Sequence, residues 1–92
     1  MTIQETITSC ITMLSTLPTK EIKFDSAVVI KSSPHNEIFR CWGAAVGKDN
    51  LWLMDGFGTW YEVEEQQANV SYVVSSVLQR LRLIIKPTNI LS

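Results

Sequence analysis

Ninety-two residues with eight basic and nine acidic side chains give a net charge of −1. Both signs are spread along the chain, which excludes the one-sided basic field that duplex nucleic acid binding requires. Hydrophobic residues make up 46% of the chain and charged residues only 18%, an apolar balance for a short chain with much surface per residue, so an interface is the expected place for the surplus.

The first residues carry no basic stretch followed by an apolar run, and no segment approaches the ~20 apolar residues that cross a bilayer. With no export signal read, the two cysteines, Cys10 and Cys41, are expected as buried thiols in a reducing compartment. The chain is therefore expected to be soluble and cytoplasmic, a single domain over 1–92.

Residues 2–17 predict a helix. Ile3, Ile7, Cys10, Ile11, Leu14 and Leu17 fall in one stripe, Thr2 and Glu5 have capping-box spacing, and Pro18 closes the far end. Residues 18–25 read as a connection. A β-branched run then predicts a first strand over 26–31, ending in the turn-forming Ser32-Ser33-Pro34-His35-Asn36. Further strands are expected over 37–46, 50–55 and 58–63, joined by turns at Gly47–Asn50 and Asp55–Gly58. Such short turns make the strands antiparallel neighbours.

A second helix is expected over 69–85. Val70, Val73, Val74, Val77, Leu78, Leu81, Ile84 and Ile85 recur at its period, Asn69 suits the N-cap, and Arg80, Arg82 and Lys86 suit the C-terminal dipole. Pro87 ends it, leaving a loose tail over 86–92. The fold class is α+β: helix, four-stranded antiparallel meander, helix.

With Gly56 and Phe57 central in a type II′ hairpin turn, Leu53 opposes Trp60 and Trp52 opposes Tyr61; with Lys48 and Asp49 central in the preceding turn, Ala45 opposes Trp52. One face then carries Phe39, Cys41, Gly43, Ala45, Trp52, Met54, Tyr61 and Val63 without charge, and both helices are expected there. The other carries Ile38, Arg40, Trp42, Ala44, Val46, Leu51, Leu53, Asp55, Trp60 and Glu62. Trp42, Leu53 and Trp60 are the candidate contact residues on it, because aromatic side chains favour interface centres and a patch this apolar is seldom left in water. Tyr72 and Leu83, opposite the main stripe of the second helix, are a weaker candidate contact.

Catalytic and metal signatures are missing from the pattern. His35 is the only histidine, and no His, Cys, Asp or Glu cluster has ligand spacing. Cys41 with His35 reads as a core thiol and an exposed turn histidine rather than a nucleophilic pair, and Asp55 with Glu62 as solubilising charges rather than an acid–base pair. Gly56-Phe57-Gly58 is followed by a strand, so it is a hairpin turn and not a phosphate cradle. The expected function is a non-enzymatic protein-interaction module without cofactor or metal, a homodimer or a partner-binding domain working through the exposed sheet face. The alternative is a small-molecule or single-stranded nucleic-acid binder using the same aromatics, weakened by Arg40 being the only cation there.

Overall fold

The computed structural model describes residues 2–32, 37–64 and 70–85. In chain order these form α1 (Ile3–Leu14), β1 (Glu21–Ser32), β2 (Glu37–Gly47), β3 (Asn50–Met54), β4 (Trp60–Glu62) and α2 (Val70–Ile84). The four strands make one antiparallel sheet in the order β1-β2-β3-β4. This is the expected α+β meander between two helices. Ser32, expected in the turn, is the last residue of β1; the rest of that turn, the Asn69 cap and the tail from residue 86 lie outside the described residues.

Helix α1 starts as its sequence dictates. Glu5 N–H donates to Thr2 Oγ1 at 3.1 Å, and Thr2 N–H donates to Glu5 Oε1 at 2.9 Å, which satisfies two amides that lack helical partners. The Thr2 amide foremost, and then its hydroxyl, hold the Glu5 carboxyl below the usual carboxylate range. The helix stops at Leu14, three residues before the expected end. Thr16 Oγ1 donates to the Met13 carbonyl at 2.6 Å, and two further single turns carry the chain to Lys20, whose φ of 56° is left-handed.

Strand β1 begins at Glu21, so residues 21–25 are strand rather than connection. The reason is alternation: Phe24, Val28 and Ile30 are buried, Ile22 packs against them, and Lys23, Asp25 and Val29 face water. The charged residues that suggest a loop are its solvent side.

The β1–β2 ladder breaks once. Pairing jumps from Lys23↔Gly43 to Val28↔Cys41, so residues 24–27 oppose Trp42 alone. The surplus on β1 is odd, and an odd surplus reverses which residues of one strand face inward. Strand β1 keeps its parity and β2 changes: Cys41 is buried on one side of the break and Ala44 on the other. Phe39 and Val46 flank them against the core.

The β2–β3 turn has the expected register, with Ala45 opposite Trp52 and Gly43 opposite Met54, and Lys48 and Asp49 both at positive φ as a type I′ turn requires. The β3–β4 turn does not. Trp52 opposes Glu62, Leu53 opposes Tyr61 and Met54 opposes Trp60, one residue out of the expected register. The loop has three residues between Asp55 and Thr59, and Gly58, at φ 85°, takes the left-handed position instead of Gly56. Asp55 drives this choice. Its Oδ1 accepts from Phe57 N–H and Thr59 N–H, each at 2.9 Å, the pattern of an aspartate opening a type I turn. Gly56 instead makes room for an indole, since a Cβ there would sit 3.1 Å from Trp42 Nε1.

These two register changes regroup the residues of the two sheet faces. Ala44, Leu51 and Leu53 of the sheet join Ile7, Cys10 and Leu14 of α1 and Val74, Val77, Leu78 and Leu81 of α2 in one buried cluster. Both helices thus pack on one face, as expected, but it is the face of Leu51 and Leu53. The face of Trp52 and Met54, expected beneath the helices, is the opposite one.

Arg80 of α2 supports the broken stretch of β1. Its guanidinium donates to the Ser26 carbonyl at 2.6 Å and to the Ala27 carbonyl at 3.4 Å, and lies 5.5 Å from the centre of the Phe24 ring. Carbonyls released by a ladder irregularity need donors, and a guanidinium fork supplies several at once.

Candidate functional site

The outer face of the sheet carries both tryptophans of the hairpin, Trp52 and Trp60. Register places Ala45 beside Trp52 beside Glu62, and Gly43 beside Met54 beside Trp60. Trp52, Met54 and Trp60 are half-buried against one another and the strands, and none belongs to the core under the helices. Their neighbours on β2 are small for a steric reason. A Cβ on Gly43 would lie 3.0 Å from the Ile22 carbonyl oxygen, and one on Gly47 would lie 3.2 Å from Trp52 Nε1. The Trp52 indole N–H donates to the Gly47 carbonyl at 3.1 Å, so the ring lies down on the strand. Glu62 accepts from the Asn50 side-chain amide, and the same rungs end on β1 with Glu21 beside Ala45 and Lys23 beside Gly43.

The three candidate contact residues do not meet on this face. Trp60 is there. Leu53 is 3% exposed and belongs to the core, because the helices pack on the face it shares with Ala44 and Leu51, and the slip in the hairpin register separates Trp60 from it. Trp42 sits at the break in the ladder, with its indole against Gly56. Sequence reasoning misses Trp52 and Met54, although the correctly placed β2–β3 turn already puts both on the face opposite Leu53. Tyr61, expected to be covered, is 50% exposed. Tyr72 and Leu83 are exposed on α2, as their positions opposite its stripe imply.

A groove of about 720 Å³ opens where β3 stops pairing with β2. Ile38, Arg40 and Trp42 of β2 form one side, Asp55 to Phe57 and Tyr61 of the hairpin the other, and Val70 and Val73 of α2 contribute to the lining. Tyr61 O–H donates to Asp55 Oδ2 at 3.1 Å, so the aspartate is bonded by its own turn on both oxygens. The amide of Thr59 foremost, then that of Phe57 and the Tyr61 hydroxyl, hold the Asp55 carboxyl below its ordinary range, and the same aspartate raises the Tyr61 phenol.

The sign of each shift sets a pH window. A depressed carboxyl contributes stability that is lost as pH falls through its lowered value, and a raised phenol contributes stability that is lost as pH rises through its raised value. Tyr61→Phe is therefore expected to abolish the alkaline loss and to move the Asp55 titration only part of the way back, since both amides remain. Carboxyl-detected NMR titration checks this; an Asp55 midpoint fully restored to the ordinary range in the variant contradicts it.

No described group of histidine, cysteine, aspartate or glutamate could hold a metal ion. Cys10 and Cys41 are both free and buried; burial pushes the Cys10 thiol up to about 12 and raises the Cys41 thiol. Such thiols are poor nucleophiles. His35 and its suggested relation to Cys41 lie outside the described residues. Among the described residues, no helix is long and apolar enough to cross a membrane. No family model matches the chain, and no curated protein or solved structure matches it.

Proposed function

We propose that this chain is a small non-enzymatic interaction module that takes a protein partner, a second copy of itself, on the outer sheet face around Trp52, Met54 and Trp60. The observation that supports this reading is the direction of the hairpin. Both helices cover the face of Leu51 and Leu53, and Trp52 and Trp60 are left on the other. The low floor of Gly43, Ala45 and Gly47 keeps the aromatic part of that face flat, with Glu62, bonded to Asn50, on one side and Glu21 and Lys23 of β1 on the other. An apolar centre flanked by charges of both signs suits self-association, since a two-fold interface sets the patch against itself. Burying it would also account for the apolar surplus of the composition. In this reading the module works in the cytoplasm, where buried Cys10 and Cys41 stay reduced.

Light scattering over a concentration series tests the proposal. The wild type is expected as a dimer and Trp60→Glu as a folded monomer, with circular dichroism checking the fold. A wild type that stays monomeric throughout, or a Trp60→Glu chain that stays dimeric, removes this reading.

A further inference from the structure

The charges around the outer sheet face are placed so that a second copy of the face can complement them. On the strands, the described ionic side chains of this face are Glu21, Lys23 and Asp25 of β1, Arg40 of β2 and Glu62 of β4. Arg40 turns this way because it pairs with exposed Val29 and stands between Phe39 and Cys41, which pack toward the core. Glu62 pairs with Trp52. Arg40 and Glu62 therefore end a diagonal across the sheet, two strands apart, with Met54 near its middle. From the ordinary strand spacing and rise, that diagonal is on the order of 15–20 Å, too long for the two to meet within one chain. Among the described residues, Arg40, Glu21 and Lys23 have no side-chain hydrogen bond or ion pair, and Asn50 takes only Oε2 of Glu62.

We infer that two copies dock in one orientation, Arg40 of each on Glu62 of the other, and that ionic strength controls their association. This docking mode rests on the self-association proposed above. In a face-to-face dimer the two-fold axis lies in the plane of the contact and exchanges positions placed symmetrically about it. An axis crossing the Arg40–Glu62 diagonal at its midpoint, close to Met54, exchanges those two residues and forms both pairs at once. The same axis passes between Glu21 and Lys23 on β1, so the glutamate of one copy comes near the lysine of the other. Asp25 lies outside the apolar centre, in the broken stretch of the edge strand, and enters no pair. An axis along the strands would instead set Glu62 over Glu21, and like charges brought together oppose association. Ion pairs at the rim of an apolar contact add little to affinity at high salt, but they select the orientation and make the contact salt-dependent.

Sedimentation equilibrium on the wild type and on charge variants tests this, with circular dichroism checking each fold. The wild-type dimer is expected to weaken by about tenfold from low to high salt. Arg40→Glu and Glu62→Arg each set two like-charge pairs in the dimer, and each should weaken it by about tenfold at low salt. The double reversal restores both pairs and should return to within about threefold of the wild type. Should Glu62→Arg disturb the fold, Glu62→Gln keeps an oxygen for Asn50 and is combined with Arg40→Gln, the two together losing no more than either alone. A wild-type dimer indifferent to salt, single reversals as tight as the wild type, a double reversal no tighter than the singles, or additive losses in the glutamine variants overturns the docking mode and leaves self-association standing. A monomeric wild type overturns both.

Discussion

Leu53→Ala is expected to lower the free energy of unfolding by about 2–5 kcal/mol, the cost of emptying a fully enclosed leucine site. The neighbouring change, Met54→Ala, should cost on the order of 1 kcal/mol, because Met54 is half-buried on the outer face and leaves no enclosed void. Chemical denaturation of both variants measures the difference. The two residues are adjacent and apolar, and what separates them is direction. Ala44 lies opposite Leu53 across the ladder, and both are buried with Leu51 beneath the two helices. Met54 has Gly43 and Trp60 as its rung. Helices seated on the Met54 face would reverse the order of the two losses.

Arg80→Met is the second large effect, with a loss of about 1.5–3 kcal/mol expected from hydrogen bonds made by a charged donor to carbonyls outside the ladder. The guanidinium is half-buried, so the lower part of that range applies. Methionine keeps most of the aliphatic stem against Phe24 and removes the donors, which separates packing from hydrogen bonding. Arg80→Lys should recover only part of the loss, since a single ammonium cannot reproduce the fork that reaches both Ser26 and Ala27. Urea midpoints of the three chains check the order Arg above Lys above Met. Equal midpoints for arginine and methionine would show that water serves those carbonyls as well as Arg80 does.

The element order is legible in the sequence because each element has its own clear local signal. Thr2 and Glu5 announce α1, the valine and leucine stripe announces α2, and Lys48-Asp49 closes a two-residue turn. The faces are harder to read, because they depend on parity, and parity depends on events that change it by one residue. Two such events occur. Asp55 selects a three-residue loop by bonding its own turn, which moves the left-handed site from Gly56 to Gly58. The first strand carries extra residues opposite Trp42, which reverses β2.

The alternation of Ile22, Phe24, Val28 and Ile30 is visible in the sequence and persists across that break. Nothing local marks where the partner strand changes sides. Of the candidate contact residues, Leu53 lies beneath the helices, and the hairpin slip carries Trp60 to the opposite, open face. The groove leaves no sequence signal at all, since it arises where β3 ends while β2 continues. Arg80 looks like a helix-end charge in the sequence; its partners on β1 are distant along the chain.

The bonds from Arg80 to Ser26 span 54 residues. During synthesis the irregular stretch of β1 emerges long before the helix that completes it. Until then its freed carbonyls have only water. The β2–β3–β4 hairpins, by contrast, join neighbours in sequence and can close early. The order of assembly is thus set by an arginine near the end of the chain. The last helix acts as a latch, and the first strand takes its final shape only when that latch arrives.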